Sequence, residues 1–279
     1  MQISEYGIVY ADSSMAGMPS LDNTAGSLIA VLDAVLPAAG WEKAFSGTNK
    51  AAYRSSDVTG TRLFLRVDDT TTTYATTLMY ESMSDIDTGT GVTPTLYYHK
   101  SNSGAVAWRM FVDSQAFYLF GATSTYFWSR LFFGDILSFQ SPDAWRSAII
   151  GHTTTSYNSS ALDALGSASG SYLARAYNGL GSATGMSRYS HGRSTALGSA
   201  GATYPNPTDN ALLIALVDCW ENSNNIARGA MPGLYSPLHG YSSLTDAAVV
   251  TDPVNNRDFL LTKTANTTFV AMDITGPWR

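Results

Sequence analysis

The sequence predicts a mainly β fold of antiparallel, sandwich-like sheets, with one amphipathic helix near the N-terminus and a long loop-rich insertion. Three observations carry that reading. Apolar residues fall in short runs that alternate with polar ones or fill with aromatic and branched side chains, bounded by glycine or proline, as strands do. Helical periodicity is strongest in one segment, residues 21–36. Only 14% of the residues are charged, against roughly 25% in an ordinary soluble domain. Gly, Ser, Thr, Asn and Tyr take their place, with 24 Gly and 16 Tyr among them.

The helix is read from Leu21, Ala25, Leu28, Ile29, Leu32, Val35 and Leu36, which share one face at helical spacing. Asp22 and Thr24 are candidate caps, and Pro37 closes the segment. Such a helix packs on a sheet or docks on a neighbouring subunit. Strands begin at Trp41. Residues 62–67 alternate, with Leu63, Leu65 and Val67 on one face and Arg62 and Arg66 on the other. Residues 116–120 and 130–133 read as buried strands closed by Gly121 and Gly134. Ser141-Pro142-Asp143, running to Gly151, has the N-cap, first-turn proline and C-terminal glycine of a short helix. Residues 152–203 are dominated by Gly, Ser, Ala and Thr and read as loops protruding from the β body. Residues 211–217 look fully buried, 228–235 look like a tight turn, and 258–263 with 267–273 look like a terminal hairpin turning through Ala265-Asn266. No repeat stands out, and residues 1–279 read as a single β-rich structural unit.

Composition excludes several functions. A net charge of −6 and a pI near 5.1 argue against nucleic-acid binding, which needs a basic face to displace phosphate counterions. No stretch is apolar for long enough to span a membrane. Cys219 is the sole cysteine, so neither an intrachain disulfide nor a cysteine-based zinc site is available. The first residues lack the basic start and apolar run of a signal peptide. Low charge without export or disulfides fits a protein made in the cytoplasm and released by lysis as part of a particle. Faces covered by neighbours are depleted of charge in the same way.

Catalytic signals are sparse. His99, His152, His191 and His239 show no metal-binding spacing, and no nucleotide-binding glycine motif or nucleophile elbow is present. No metal site and no cofactor is expected. Asp68 and Asp69 are adjacent on a strand and point to opposite faces. Asp85 and Asp87 could share a face, as a calcium pair or as an acid/base pair of a glycan hydrolase, yet no partner group completes either. Asp87-Thr88-Gly89 matches an aspartic-protease signature only in isolation. The chain is therefore expected not to be an enzyme. Aromatic clusters at Tyr97-Tyr98 and Tyr126-Phe127-Trp128 fit core packing and interfaces, or stacking on sugar rings.

Several collinear segments carry a resemblance. They include residues 40–49 (Gly-Trp-Glu-Lys-Ala-Phe-Ser-Gly-Thr-Asn), Ala52-Tyr53-Arg54-Ser55, residues 60–70 and residues 80–91. Phe133-Gly134-Asp135-Ile136, Leu173-Ala174-Arg175, Tyr204-Pro205-Asn206-Pro207 and residues 228–239 follow in order. Together they resemble a family of structural proteins from the virion gene blocks of tailed bacteriophages and prophages. The family's β-rich insert ahead of the Gly-Trp-Glu-Lys run is missing here, where residues 35–39 join helix and strand directly.

The resemblance implies a virion subunit of the tail tip or baseplate, without catalytic residues, acting through interfaces. Its expected partners are copies of itself in a ring or trimer and other tail or baseplate proteins, with no nucleic acid and no membrane span. Alternatives are a receptor- or glycan-binding tail-tip module that takes host surface glycan, and a head decoration protein. The residues expected at contacts are Leu28 and Leu32 on the helix and Tyr172, Arg175, Tyr177, Arg188 and Tyr189 in the 152–203 segment.

Overall fold

Apolar runs can bury both of their faces only when layers stack, and the chain does so with two large antiparallel sheets, a hairpin and a short helix. The computed structural model describes residues 1–101, 103–122, 127, 129–155, 170–190, 203–206, 211–252, 255–265 and 268–279. The first part holds β1 (Gln2–Ile3), β2 (Val9–Asp12) and α1 (Ser27–Val35), which runs into a single 3₁₀ turn, Leu36–Ala39. Then come β3 (Trp41–Gly47), β4 (Lys50–Ser55), β5 (Phe64–Asp68), β6 (Tyr74–Tyr80), β7 (Ser82–Asp85), β8 (Thr88–Thr90) and β9 (Leu96–His99). The middle supplies β10 (Trp108–Val112), β11 (Ala116–Gly121), β12 (Ser129–Asp135), β13 (Leu137–Ser138), β14 (Ser147–Ile150), β15 (Ser171–Leu173) and β16 (Thr184–Ser190). β17 (Ile214–Glu221), β18 (Ile226–Pro237), β19 (Val249–Asp252), β20 (Arg257–Ala265) and β21 (Thr268–Asp273) complete it.

One sheet is the meander β3-β4-β5-β6-β9, from which the β7–β8 hairpin projects. The larger sheet runs β1-β2-β10-β11-β12-β14-β15-β16-β17-β18-β21-β20-β19, with β13 pairing on β18. Among the described residues the ladders of both are antiparallel.

Side-chain alternation explains the layering. Met110, Val112, Phe117, Leu119, Leu131 and Phe133 pack on α1 and the smaller sheet, with Leu28, Leu32, Leu65 and Val67. Their neighbours Phe111, Tyr118, Phe120 and Phe132 face the other way. They share a second core with Met186, Val217, Cys219, Met231, Leu260, Val270 and Met272 from the sheet's far half. The large sheet therefore folds over onto itself around that core. The Tyr118 hydroxyl donates to the Pro232 carbonyl across it (2.8 Å). A third cluster, Phe259, Leu261, Phe269 and Ala271, lies on the outer face of β20–β21 under Leu244 and Val250. β11 and β12 read as unbroken apolar runs because both of their faces are covered.

Several elements differ from the sequence reading. The helix spans Ser27–Val35, not 21–36. Leu21 forms a bridge with Val106, Asp22 turns back on Thr24 (2.9 Å), and Gly26 at φ +86° breaks the helix before Ser27. Residues 141–151 form no helix: the Asp143 carboxylate is taken by Arg228, and Ser147–Ile150 is strand β14. The strand at 211–217 starts at Ile214 and is only half buried. Residues 228–235 lie inside β18. Gly229 is needed there because a Cβ would sit 2.1 Å from the Leu137 carbonyl oxygen of β13. Within 152–203, β15 and β16 are integral strands of the large sheet rather than protruding loops, while 156–169 and 191–202 lie outside the described residues. The terminal hairpin is present as β20–β21, and its Asn266 turn position lies outside the described residues.

Candidate functional site

The residues expected at contacts divide into three groups. Leu28 and Leu32 are fully buried in the chain's own core and have no surface to offer a neighbour. They face inward because α1 lays this face on the core shared by the smaller sheet and β10–β12, while Ala30 and Asp33 on its other side are exposed. Arg188 is also buried. It projects from β16 into the second core, where desolvation pulls its guanidinium down to about 10 and, beside it, pushes the Cys219 thiol up to about 12. Tyr172, Arg175 and Tyr177 are half-buried. Tyr189 pairs with Asp218 through its backbone, and its side chain lies outside the described residues.

Arg175 and Tyr177 belong to a polar network that short sequence spacing could not reveal. Arg228 on β18 is fully buried, as are the side chains of both its acidic partners. Its guanidinium donates to Asp143 (2.8 and 2.9 Å) and to Glu221 (2.6 Å). It also reaches the Arg175 and Trp145 carbonyls (3.2 Å each). The Tyr177 N–H donates to Glu221 (2.9 Å), and the Tyr177 ring lies 5.7 Å from the Arg228 guanidinium. Donors hold Glu221 below the usual carboxylate range against the opposing effect of burial, the largest single influence. Arg175 stacks on Trp145 (4.4 Å) and grips Glu81, just after β6, with two bonds of 2.5 Å. This chain of ion pairs fastens the smaller sheet to the large one. Such fork-shaped pairing suits arginine, whose donors match a carboxylate two at a time.

An open groove of about 720 Å³ runs beside Asp143, lined in part by Thr59, Gln115, Ile136, Ser138, Arg146 and Arg279. Its two cations are already engaged, Arg146 with Asp135 (3.0 Å) and Arg279 with Asp113 (3.1 Å).

The carboxylates singled out from the sequence are placed as follows. Asp87 is held by Lys50 (2.9 Å) and by Arg66. Those two cations, Lys50 first, keep it below its ordinary range, so it stays ionised and is unsuited to give up a proton. Asp85 accepts the Ile86 N–H in the β7–β8 hairpin (2.5 Å). Asp68 and Asp69 do point apart: Asp68 meets Arg66 (3.2 Å), and Asp69 enters the core to meet Lys100 (2.6 Å). His99 and His152, far apart in sequence, come together with ring centroids 4.5 Å apart, edge to face. Burial drives both below the usual histidine range, His152 to about 3. His239 accepts the Leu213 N–H (2.7 Å). Among the described residues no group of three or more His, Cys, Asp or Glu is placed to hold a metal, and no helix is long and apolar enough to cross a membrane.

Exposed apolar side chains mark the candidate contact surface. Ile3 is 60% exposed on β1, at one edge of the large sheet, and Val249 is 54% exposed on β19, at the other. On β17 inward and outward residues alternate, so Val217 and Cys219 enter the core while Leu216 and Trp220 face out at 40% and 36%. Trp41, Trp108 and Trp278 are buried, which leaves Trp220 the most exposed tryptophan among the described residues. The alternation on β17 is the signal that could have exposed this face in the sequence. It was masked by the unbroken apolar run 211–217. Compared with known proteins, the sequence matches no family model, and no curated protein matches it significantly.

Proposed function

We propose that this chain is a non-enzymatic structural subunit of a tailed-bacteriophage virion, in the tail tip or baseplate, working through subunit–subunit interfaces. The observation that carries this reading is the position of the exposed apolar side chains. Ile3 and Val249 sit on the two terminal strands of one long sheet, and Leu216 and Trp220 share its outer face. Free edges with apolar side chains are a hazard in an isolated protein and are resolved when a neighbour covers them. The collinear motifs that resemble virion proteins point the same way, as does the low charge. Copies of the chain in a closed ring or trimer would bury these surfaces, alongside other tail or baseplate proteins. Such a subunit is assembled in the host cytoplasm and leaves by lysis.

The test is mass spectrometry of purified particles from a producing lysate, with gold-labelled antibody microscopy on the same sample. The chain at stoichiometric level and label at one end of the tail is the expected result. Its absence from purified particles overturns the proposal, and label over the head reassigns it to capsid decoration.

A further inference from the structure

Three ion pairs have both side chains fully buried, two of them on Arg228 and one on Lys100, and they differ in chemistry. Arginine keeps its proton under all accessible conditions, so Arg228 and Asp143 remain an ion pair. Lysine can release a proton and become a nucleophile. Lys100 follows β9 and Asp69 follows β5. Their side chains meet beneath the N-terminus of α1, with Nζ 2.6 Å from Oδ1 and neither exposed to water. We propose that Lys100 and Asp69 condense into an intramolecular isopeptide bond between Nζ and Cγ, with loss of one water.

The surroundings supply each part of that reaction. Oδ2 accepts the Leu28 N–H (2.8 Å) and, more weakly, the Ile29 N–H (3.4 Å). These are the first free donors of a nine-residue helix, with its positive dipole end behind them. Nζ donates to the Thr24 carbonyl (2.5 Å), which orients the amine. Burial pushes the Asp69 carboxyl above its ordinary range, towards the neutral acid. Oδ1 has no hydrogen-bond partner of adequate geometry, so nothing but the ammonium stabilises its charge.

The atoms balance without a co-reactant. One ammonium proton moves to Oδ1 and leaves a neutral amine beside a neutral acid. The nitrogen lone pair then attacks Cγ, and the negative charge that develops on Oδ2 is met by the Leu28 and Ile29 amides, as in an oxyanion hole. A second proton passes from nitrogen to the Oδ1 hydroxyl, the Cγ–Oδ1 bond breaks and water departs. The third proton remains as the amide N–H facing the Thr24 carbonyl. Exclusion of bulk water disfavours the reverse hydrolysis, and fixed contact between the reacting groups supplies the effective concentration the step requires. The product would tie the end of β5 to the end of β9 covalently. This inference does not depend on the virion reading.

Intact mass of the full-length purified protein, measured under denaturing conditions, tests it directly. The expected value is about 18 Da below the sequence mass, with a branched tryptic peptide joining the Lys100 and Asp69 segments, and full sequence mass in Lys100→Arg. A wild-type chain at its full sequence mass after prolonged incubation in the folded state overturns the proposal. So does a loss of about 18 Da that persists in Lys100→Arg, because it would map to dehydration elsewhere. Because the decisive reading is on the wild-type chain, poor folding of a variant does not obscure it.

Discussion

Replacing Arg228 with Met removes the cation that two buried carboxylates share while keeping a side chain of similar length. Breaking a buried pair by deleting one partner costs about 3–5 kcal/mol, because the remaining charge has no solvent to turn to. Here the cost is moderated on both sides. Asp143 keeps the Trp145 N–H (3.0 Å) and the Ser138 hydroxyl (2.9 Å). Glu221 keeps the Tyr177 N–H and the hydroxyl of Ser223 (3.0 Å). The expected loss is therefore near the lower end, about 3 kcal/mol. At roughly 2–4 °C per kcal/mol for a chain of this size, Tm falls on the order of 10 °C. Urea unfolding followed by tryptophan fluorescence is the assay, because Trp145 abuts the network. Adding Asp143→Asn and Glu221→Gln to Arg228→Met removes the orphaned charges and should recover more than half of the loss. An Arg228→Met protein within about 1 kcal/mol of wild type would refute the reasoning, since surface pairs give losses of that size.

Three further outcomes follow from the same structure. Leu32→Ala should destabilise the isolated chain by about 2–5 kcal/mol, because Leu32 fills the chain's own core; chemical denaturation without any partner reads this out, and a loss seen only in assembled particles would return Leu32 to an interface. His152 is held neutral at about 3, so the unfolded chain, with its histidine near 6.5, binds more protons in between. Stability is then fully present above pH 6.5 and falls with pH down to about 3, by about 4–5 kcal/mol at most from this group. Comparing the pH dependence of unfolding in wild type and His152→Gln isolates this contribution, and parallel profiles would contradict it. Finally, Trp220→Ser should leave the melting temperature within a few degrees of wild type, since Trp220 lies on the outer face. It should nonetheless reduce incorporation into particles several-fold, and normal incorporation would exclude β17 from the contact surface.

The parts of the fold that the sequence revealed are those set by local alternation. β11, β12, β20 and β21 announce themselves because each packs an apolar run against two covered faces. Elements governed by distant contacts did not. The helix boundary is drawn by Gly26 and by Asp69, which caps α1 from 41 residues away in place of a local side chain. β18 looked like a turn because its glycines and prolines are turn formers, yet Gly229 is there to admit the β13 backbone. Asp143, expected in the first turn of a short helix, serves an arginine 85 positions later. Separation along the chain likewise hid the His99–His152 contact from any search for short histidine spacing. Candidate contact residues chosen from a helical face and a glycine-rich stretch were therefore partly core residues, and the exposed face of β17 was overlooked.

Part of the scarce charge of this chain lies inside it. At least eleven of its 16 basic and 22 acidic residues are buried, among them Arg66, Asp69, Lys100, Asp143, Glu221 and Arg228. The buried and half-buried pairs also have a common placement. Asp69–Lys100 joins the ends of two strands of the smaller sheet beneath α1. Glu81–Arg175 and Asp143–Arg228–Glu221 connect the sheets and their turns, and Arg109–Asp246 closes the large sheet over its second core. Apolar contacts between flat layers tolerate sliding, whereas a buried arginine fork accepts one register only, the best-attested use of buried ionic groups. A chain built this way fixes its layers from within and leaves a weakly charged, apolar-spotted exterior. That division would suit a subunit whose outer faces meet protein rather than water, and the register of its two short sheet edges would then be fixed before any neighbour arrives.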